Sequence, residues 1–172
     1  MKRGIGWRIA AFAALFFAVQ AWYGASAGGV VERFVIHDLT VRPAAWLIGM
    51  LDPAAGVTAD GASLKSPRGG LNVLNGCEGT DVAFLLASAM LVAPLAWRAR
   101  LAGVAAALAL TLALNQVRVL ALFYALRADR AWFDTLHGFV GPLVLVAVAA
   151  GFFAFWLRAF APARRPPVSA VH

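Results

Sequence analysis

Charged side chains are scarce in this chain, at 13% of 172 residues, and acidic ones scarcer still, eight against fifteen basic. A soluble domain carries about a quarter of its residues charged, so the deficit excludes an ordinary water-facing surface. Cysteine is nearly absent: Cys77 stands alone, which excludes an intrachain disulfide framework and a cysteine-rich zinc site. Apolar packing or a reactive thiol remains open to it. The net charge of +7 comes without a basic, aromatic-interleaved patch, so nucleic acid is not an expected partner. The basic residues flank apolar runs instead, and a chain that is 62% hydrophobic has the lipid bilayer as its expected surroundings.

Crossing hydrocarbon about 30 Å thick takes roughly 20 apolar residues as helix. The expected fold is an all-α integral membrane protein, one domain over 1–172, with about four transmembrane helices, an outer amphipathic helix and a small extended or β-hairpin strap. The apolar runs predict spans over 7–24, 80–97, 101–124 and 138–160, and a tail over 161–172. The first run follows Lys2, Arg3 and Arg8, and Ala25-Ser26-Ala27 behind it imitates a signal-peptidase site; it is read as a retained anchor. Between the first two spans, over 28–79, Val30 to Leu51 mixes apolar Val31, Phe34, Val35, Leu39, Trp46 and Leu47 with Glu32, Arg33, His37, Asp38 and Arg42. That pattern predicts a helix lying in the membrane interface, with Pro43 opening a second piece. From Asp52 to Gly76, glycines with Pro53 and Pro67 separate short alternating stretches, which predict the strap. Pro94 falls near the end of the second predicted span, where a kink costs least.

Lys2, Arg3, Arg8, Arg98, Arg100, Arg158, Arg164 and Arg165 fall on one side of the four spans, in short flanks. The opposite seven include Arg33, Arg42, Lys65 and Arg68, spread through a long loop. The dense side is the expected cytoplasm, with both termini there, in a bacterial inner membrane crossed several times.

Under this topology Cys77 precedes the second helix on the outer, periplasmic side, Arg118 lies near the outer end of the third, and His137 just precedes the fourth. Leu101 to Arg118 covers about 26 Å of helix, which lifts the guanidinium to the far headgroups. A thiol beside a helix N-terminus and a cation is expected to ionise more easily, as a nucleophile requires. His137 suits proton relay and Arg118 suits charge developing on a carbonyl oxygen, which together describe acyl transfer. Asn115, one turn before Arg118, is a candidate partner for the guanidinium, the backbone or a substrate amide. Glu78 and Asp81 are expected to complement the N-terminus of the second helix, with orienting Arg118 or His137 as a lesser role; Asp134 is a weaker candidate for the latter. Each residue also has a plainer reading: a packed cysteine, an arginine snorkelling to the interface, a capping or interfacial histidine.

Asn75-Gly76-Cys77-Glu78-Gly79, Asn115-Gln116-Val117-Arg118 and His137-Gly138-Phe139-Val140-Gly141 together resemble the exosortase/archaeosortase motifs, in the same order and helix placement. The resemblance covers about Asn72 to Phe160. It implies a polytopic membrane cysteine transpeptidase in which Cys77 is the nucleophile, Arg118 the essential arginine and His137 the proton-transfer residue. Lacking several N-terminal spans of the larger members, the chain is similar to the short exosortase H type. The implied partners are exported proteins with a C-terminal sorting signal, IPTL-CTERM or PEP-CTERM-like. No cofactor is required by such chemistry, and no ligand cluster suggests a metal. The alternative is a non-enzymatic membrane scaffold or assembly subunit, whose small residues Gly103, Ala105, Ala106 and Ala107 would pack partner helices. A transporter component is disfavoured by the lack of an ionisable residue mid-span.

Overall fold

Apolar runs without access to water close their own backbone hydrogen bonds as helices. A computed structural model, which describes residues 2–74 and 76–161, shows five such helices among the described residues. They are α1 (Lys2–Ala25), α2 (Val30–Leu51), α3 (Thr80–Val92), α4 (Trp97–Ala128) and α5 (Arg130–Phe160). Asn75 and most of the expected tail, with Arg164, Arg165 and His172, lie outside the described residues, as do the side chains of Lys2 and Arg3. Helices dominate the described residues, accompanied there by one small sheet, as expected for an all-α membrane protein.

Among the described residues four helices are long and apolar enough to cross a membrane, but they are not the expected four: α2 qualifies, while α3 does not. Helix α3 has 13 residues, about 20 Å at 1.5 Å per residue. It stops at Val92 because Pro94 cannot donate to a helical carbonyl and turns the residue before it extended, as the Ala93 ψ of 148° records. The stretch expected as one helix over 80–97 is thus a helix followed by a short link over 93–96. The third expected span is longer at both ends. Helix α4 runs 32 residues, about 48 Å, and takes in Arg98, Arg100 and Arg127. The expected polar link over 127–134 is helical on both sides of Asp129, whose carboxylate caps the head of α5 by accepting from the Ala131 N–H at 2.9 Å.

Helix α2 differs most from expectation. It is continuous through Pro43: Phe34–Val41 is wound as a π-helix, and Pro43 falls in the first turn of the α-helical part that follows, leaving one carbonyl without its backbone donor. The Leu39 carbonyl, which Pro43 cannot serve, accepts from the Gln116 amide at 2.9 Å. Farther on, Asp52 lies 3.8 Å from Arg127. From residue 39 to 52 the chain therefore advances beside α4 from 116 to 127.

Two packed regions follow. Around Leu86, Met90, Ala107 and Ala149, the α3, α4 and α5 helices meet over Trp156, whose indole N–H donates to the Ala99 carbonyl at 3.0 Å. A Cβ at Gly103 would meet that ring at 2.8 Å, so Gly103 and Ala107 are consumed within the chain. At the other end Ile36, Val41, Ile48, Leu64, Val119 and Phe123 join α2, the sheet and α4. The strap is a three-stranded antiparallel meander, β1 (Thr58–Asp60), β2 (Ser63–Ser66) and β3 (Gly69–Asn72), in the order β1-β2-β3. Leu64 pairs with Leu71 and both are buried on α4. Strand β3 thereby delivers the chain to the head of α3, where Cys77 sits.

Candidate active site

The turn between β3 and α3 is shaped by two glycines. Gly76 and Gly79 hold φ of 93° and 78°, a region that a side chain makes costly. At Gly79 a Cβ would also press the Asn115 side chain at 3.2 Å. The Cys77 N–H donates back to the Leu74 carbonyl at 2.9 Å, closing the turn. The half-buried thiol then points at α5, and its Sγ stands 4.0 Å from Nε2 of His137.

His137 lies inside α5, not ahead of it. The segment Leu136–Val140 is a π-helix, a single wide turn of the kind that recurs at functional sites. The imidazole stacks flat on Phe133, with centroids 5.4 Å apart and planes within 5°. Its Nδ1 is buried and has no hydrogen-bond partner. Asp134, the weaker candidate for holding it, instead pairs with Arg130 at 3.3 Å.

Arg118 reaches the same place from α4. Its side chain crosses the face of α5 at Gly141, where a Cβ would meet Nε at 3.0 Å and Cδ at 3.4 Å. The Nε is buried without a partner. No hydrogen bond joins it to Asn115, which is 1% exposed, packs on Gly79 and leaves both amide atoms unpartnered. Asn115 as a holder of the guanidinium is therefore not what the structure has.

The two acidic candidates also turn elsewhere. Glu78 is 2% exposed and accepts from the Thr80 hydroxyl at 3.0 Å. Asp81, in the first turn of α3 as expected, accepts from the Gln20 amide at 2.7 Å and ties α3 to α1. Neither carboxylate is bonded to His137 or Arg118.

The thiol differs from expectation in its acidity. Burial pushes the Cys77 pKa up, the Arg118 charge draws it down, the Glu78 charge pushes it up again and a backbone contact with Leu74 lowers it; the net direction is up. Desolvation outweighs the guanidinium, so at rest the group is a neutral thiol that needs a base at the moment of attack. Nε2 of His137 is the ring nitrogen facing it.

Two spaces adjoin these residues. One, of about 30 Å³, is lined by Leu71, Val73, Cys77, Val119, Phe133 and His137, room for about one water. The other, of about 160 Å³, is an apolar groove between α4 and α5, lined by Leu114, Val117, Arg118, Leu136, Val140 and Gly141. Leu122 forms a wall of both. The arrangement sets a thiol, an imidazole nitrogen and a guanidinium beside an apolar groove.

Tyr23, at the end of the first apolar run, is 3% exposed and faces Glu78; nothing in the run's composition distinguishes it. Gln116 and Gly141 stood inside the quoted motifs, yet their tasks, serving the Leu39 carbonyl and making room for Arg118, depend on the π-helical turns.

A family model described as transmembrane exosortase matches residues 3–154. No curated protein and no solved structure matches the chain.

Proposed function

The chain belongs to the transmembrane exosortase family, and from that premise we propose that it is a membrane cysteine transpeptidase that cleaves the C-terminal sorting signal of exported proteins. The observation that carries this reading is the 4.0 Å approach of Cys77 Sγ to His137 Nε2, within reach of the Arg118 charge.

As Sγ attacks the scissile carbonyl, Nε2 takes the thiol proton and the carbonyl oxygen becomes an oxyanion. Arg118, with its buried Nε unpartnered, is the cation for that oxyanion. Collapse breaks the C–N bond, His137 returns the proton to the leaving amine, and a thioester remains on Cys77. An acceptor nucleophile then takes the acyl group and the thiol is restored. The groove beside Arg118 suits the apolar helix of the signal, with its recognition motif at the end where Cys77 lies. Substrates are IPTL-CTERM or PEP-CTERM-like proteins, and the enzyme is of the exosortase H type. The reaction takes place on the periplasmic face of a bacterial inner membrane, both termini being cytoplasmic, as the dense basic flanks favour.

Of the small residues behind the scaffold alternative, Gly103 and Ala107 are buried against Trp156 and Met90 of the same chain, while Ala105 is exposed and Ala106 half-buried. Cys77→Ala, made at normal abundance beside a co-expressed sorting-signal protein, leaves that protein unprocessed. Full processing by the variant contradicts the assignment.

A further inference from the structure

Strand β3 is an edge: among the described residues it pairs with β2 on one side and with no strand on the other. Antiparallel pairing turns alternate residues toward the partner strand. The Val73 N–H donates to the Ala62 carbonyl at 2.8 Å, so Leu71 and Gly69 face β2 as well, while the N–H and C=O groups of Gly70 and Asn72 point away from it. Gly70 and Asn72 are both exposed. Such an edge is a template for another strand unless charge, proline or a bulge blunts it. Here it stays open, since Gly69 and Gly70 carry no side chain to hold a second backbone off.

The open side of β3 borders a cleft that ends at the thiol. Its outer part, of about 340 Å³, lies between Gly69 and Gly70 on one wall and Arg127 and Arg130 on the other, with Arg68. Its inner part is the space of about 30 Å³ that Leu71, Asn72 and Val73 share with Phe133, Cys77 and His137. No residue of β2 lines either part, so both lie on the unpaired side. Helix α4 lends Val119 and Leu122 to the inner part and, about one turn farther on, Phe123 and Leu126 to the outer. The α5 wall is continuous, because the Arg130 guanidinium sits 5.3 Å from the centre of the Phe133 ring and that ring is stacked on His137. Asp134 lies 3.3 Å from Arg130 and Asp52 lies 3.8 Å from Arg127, while Arg68 has no acidic partner among the described residues. The outer part is therefore positive, with donors for the carbonyl oxygens and carboxylates of an entering chain.

We propose that the segment of the sorting-signal protein just ahead of the scissile bond binds in this cleft in extended form, as a fourth strand parallel to β3. That role rests on the transpeptidase reading above. The exported part of such a protein precedes its apolar helix, so the segment enters at the arginines and reaches Cys77 last. Strand β3 runs the same way, from Gly69 at the arginines to Val73 beside the thiol, which makes the pairing parallel. In a parallel ladder one substrate residue donates to the Gly70 carbonyl and accepts from the Asn72 N–H, and the second residue after it donates to the Asn72 carbonyl. From Gly69 to Val73 is about 13 Å, so about four substrate residues lie along β3 before the carbonyl that Sγ attacks. Strand addition of this kind draws affinity from the main chain and leaves alternate side chains to confer specificity.

The test uses the full chain carrying Cys77→Ala and Asn72→Cys, co-expressed with a sorting-signal protein whose single cysteine is walked, one residue at a time, through the segment ahead of its apolar helix. Oxidation of the membranes with copper phenanthroline is expected to join enzyme and substrate at every second position, because a strand presents alternate side chains to one face. Arg68→Cys in place of Asn72→Cys is expected to capture positions farther from the apolar helix, as parallel addition requires. Capture at every third or fourth position, capture by Arg68→Cys nearer the helix, or no capture at any position overturns the proposal. With Cys77 restored, Asn72→Pro removes the N–H that faces the cleft and none that faces β2; it is expected to process the same protein at least tenfold more slowly than Asn72→Ala, which keeps that N–H. Equal rates for the two overturn the proposal as well. Capture at alternate positions together with full processing by Cys77→Ala overturns only the transpeptidase reading.

Discussion

Replacing Gly141 with alanine separates the placement of Arg118 from the stability of the helix that Arg118 crosses. In a helix interior Gly→Ala is ordinarily favourable by about 1 kcal/mol. Here the added Cβ meets the Leu136 carbonyl at 2.8 Å and Arg118 Nε at 3.0 Å. The carbonyl belongs to the π-helical turn that also carries His137, and overpacking of this kind costs about 1–3 kcal/mol. The two effects largely offset, so thermal stability changes by no more than about 2 kcal/mol. Function responds differently, because the guanidinium and the turn holding the imidazole are both pushed. A misplacement of about 1 Å costs on the order of 100-fold in rate. Gly138→Ala is the control: it sits in the same turn, but nothing lies within 4 Å of its added Cβ, so processing stays near wild type. Both variants are assayed by the rate at which a co-expressed reporter loses its sorting signal, normalised to enzyme abundance. Full processing by Gly141→Ala, or equal damage from Gly138→Ala, refutes the steric account of how Arg118 is held.

Two further outcomes follow from the same geometry. Because the Cys77 pKa is raised, the thiolate population at neutral pH is below that of an ordinary thiol and grows as pH rises toward the shifted value. Arg118→Gln removes the charge that lowers it, so alkylation by a membrane-impermeant maleimide at pH 7 slows. Glu78→Gln removes one that raises it, so alkylation quickens; the opposite ordering of the two rates contradicts the assigned causes. Phe123, 1% exposed in the region joining α2, the sheet and α4, costs about 3–5 kcal/mol when cut to alanine. Its melting temperature in detergent falls by roughly 10 °C, and an unchanged melting curve contradicts the packing described.

Membrane character and helical class were legible because they follow from composition and run length, which no tertiary contact overrides. The turn that carries Cys77 was legible for a related reason: it is polar and glycine-flanked, and Gly76 and Gly79 do adopt the backbone that such a turn requires. Helix ends were not legible, since hydropathy marks where apolar residues stop and not where hydrogen bonding stops. Pro94 ended α3 early, while Arg98, Arg127 and Arg130 let their helices run on into polar sequence. Helix α2 was read from its charges as lying along the lipid surface; the contacts of its buried face with α4 and the sheet were not legible. Its continuity through Pro43 depends on Gln116, 77 residues away from Leu39, a pairing no local pattern encodes. The π-helical turn that carries His137 is equally silent, because its residues satisfy an ordinary helical pattern as well. The expected easy ionisation of Cys77 failed for another reason: the nearby Arg118 charge was legible, but the burial that outweighs it was not.

The most direct measurement is the mass of the Cys77 peptide from enzyme quenched in acid during turnover of a sorting-signal protein. A substrate-derived acyl group on Cys77, released by neutral hydroxylamine and present while the signal helix has already departed, is the expected result. Processing that proceeds at the wild-type rate with no such adduct, and that persists in Cys77→Ala, contradicts it.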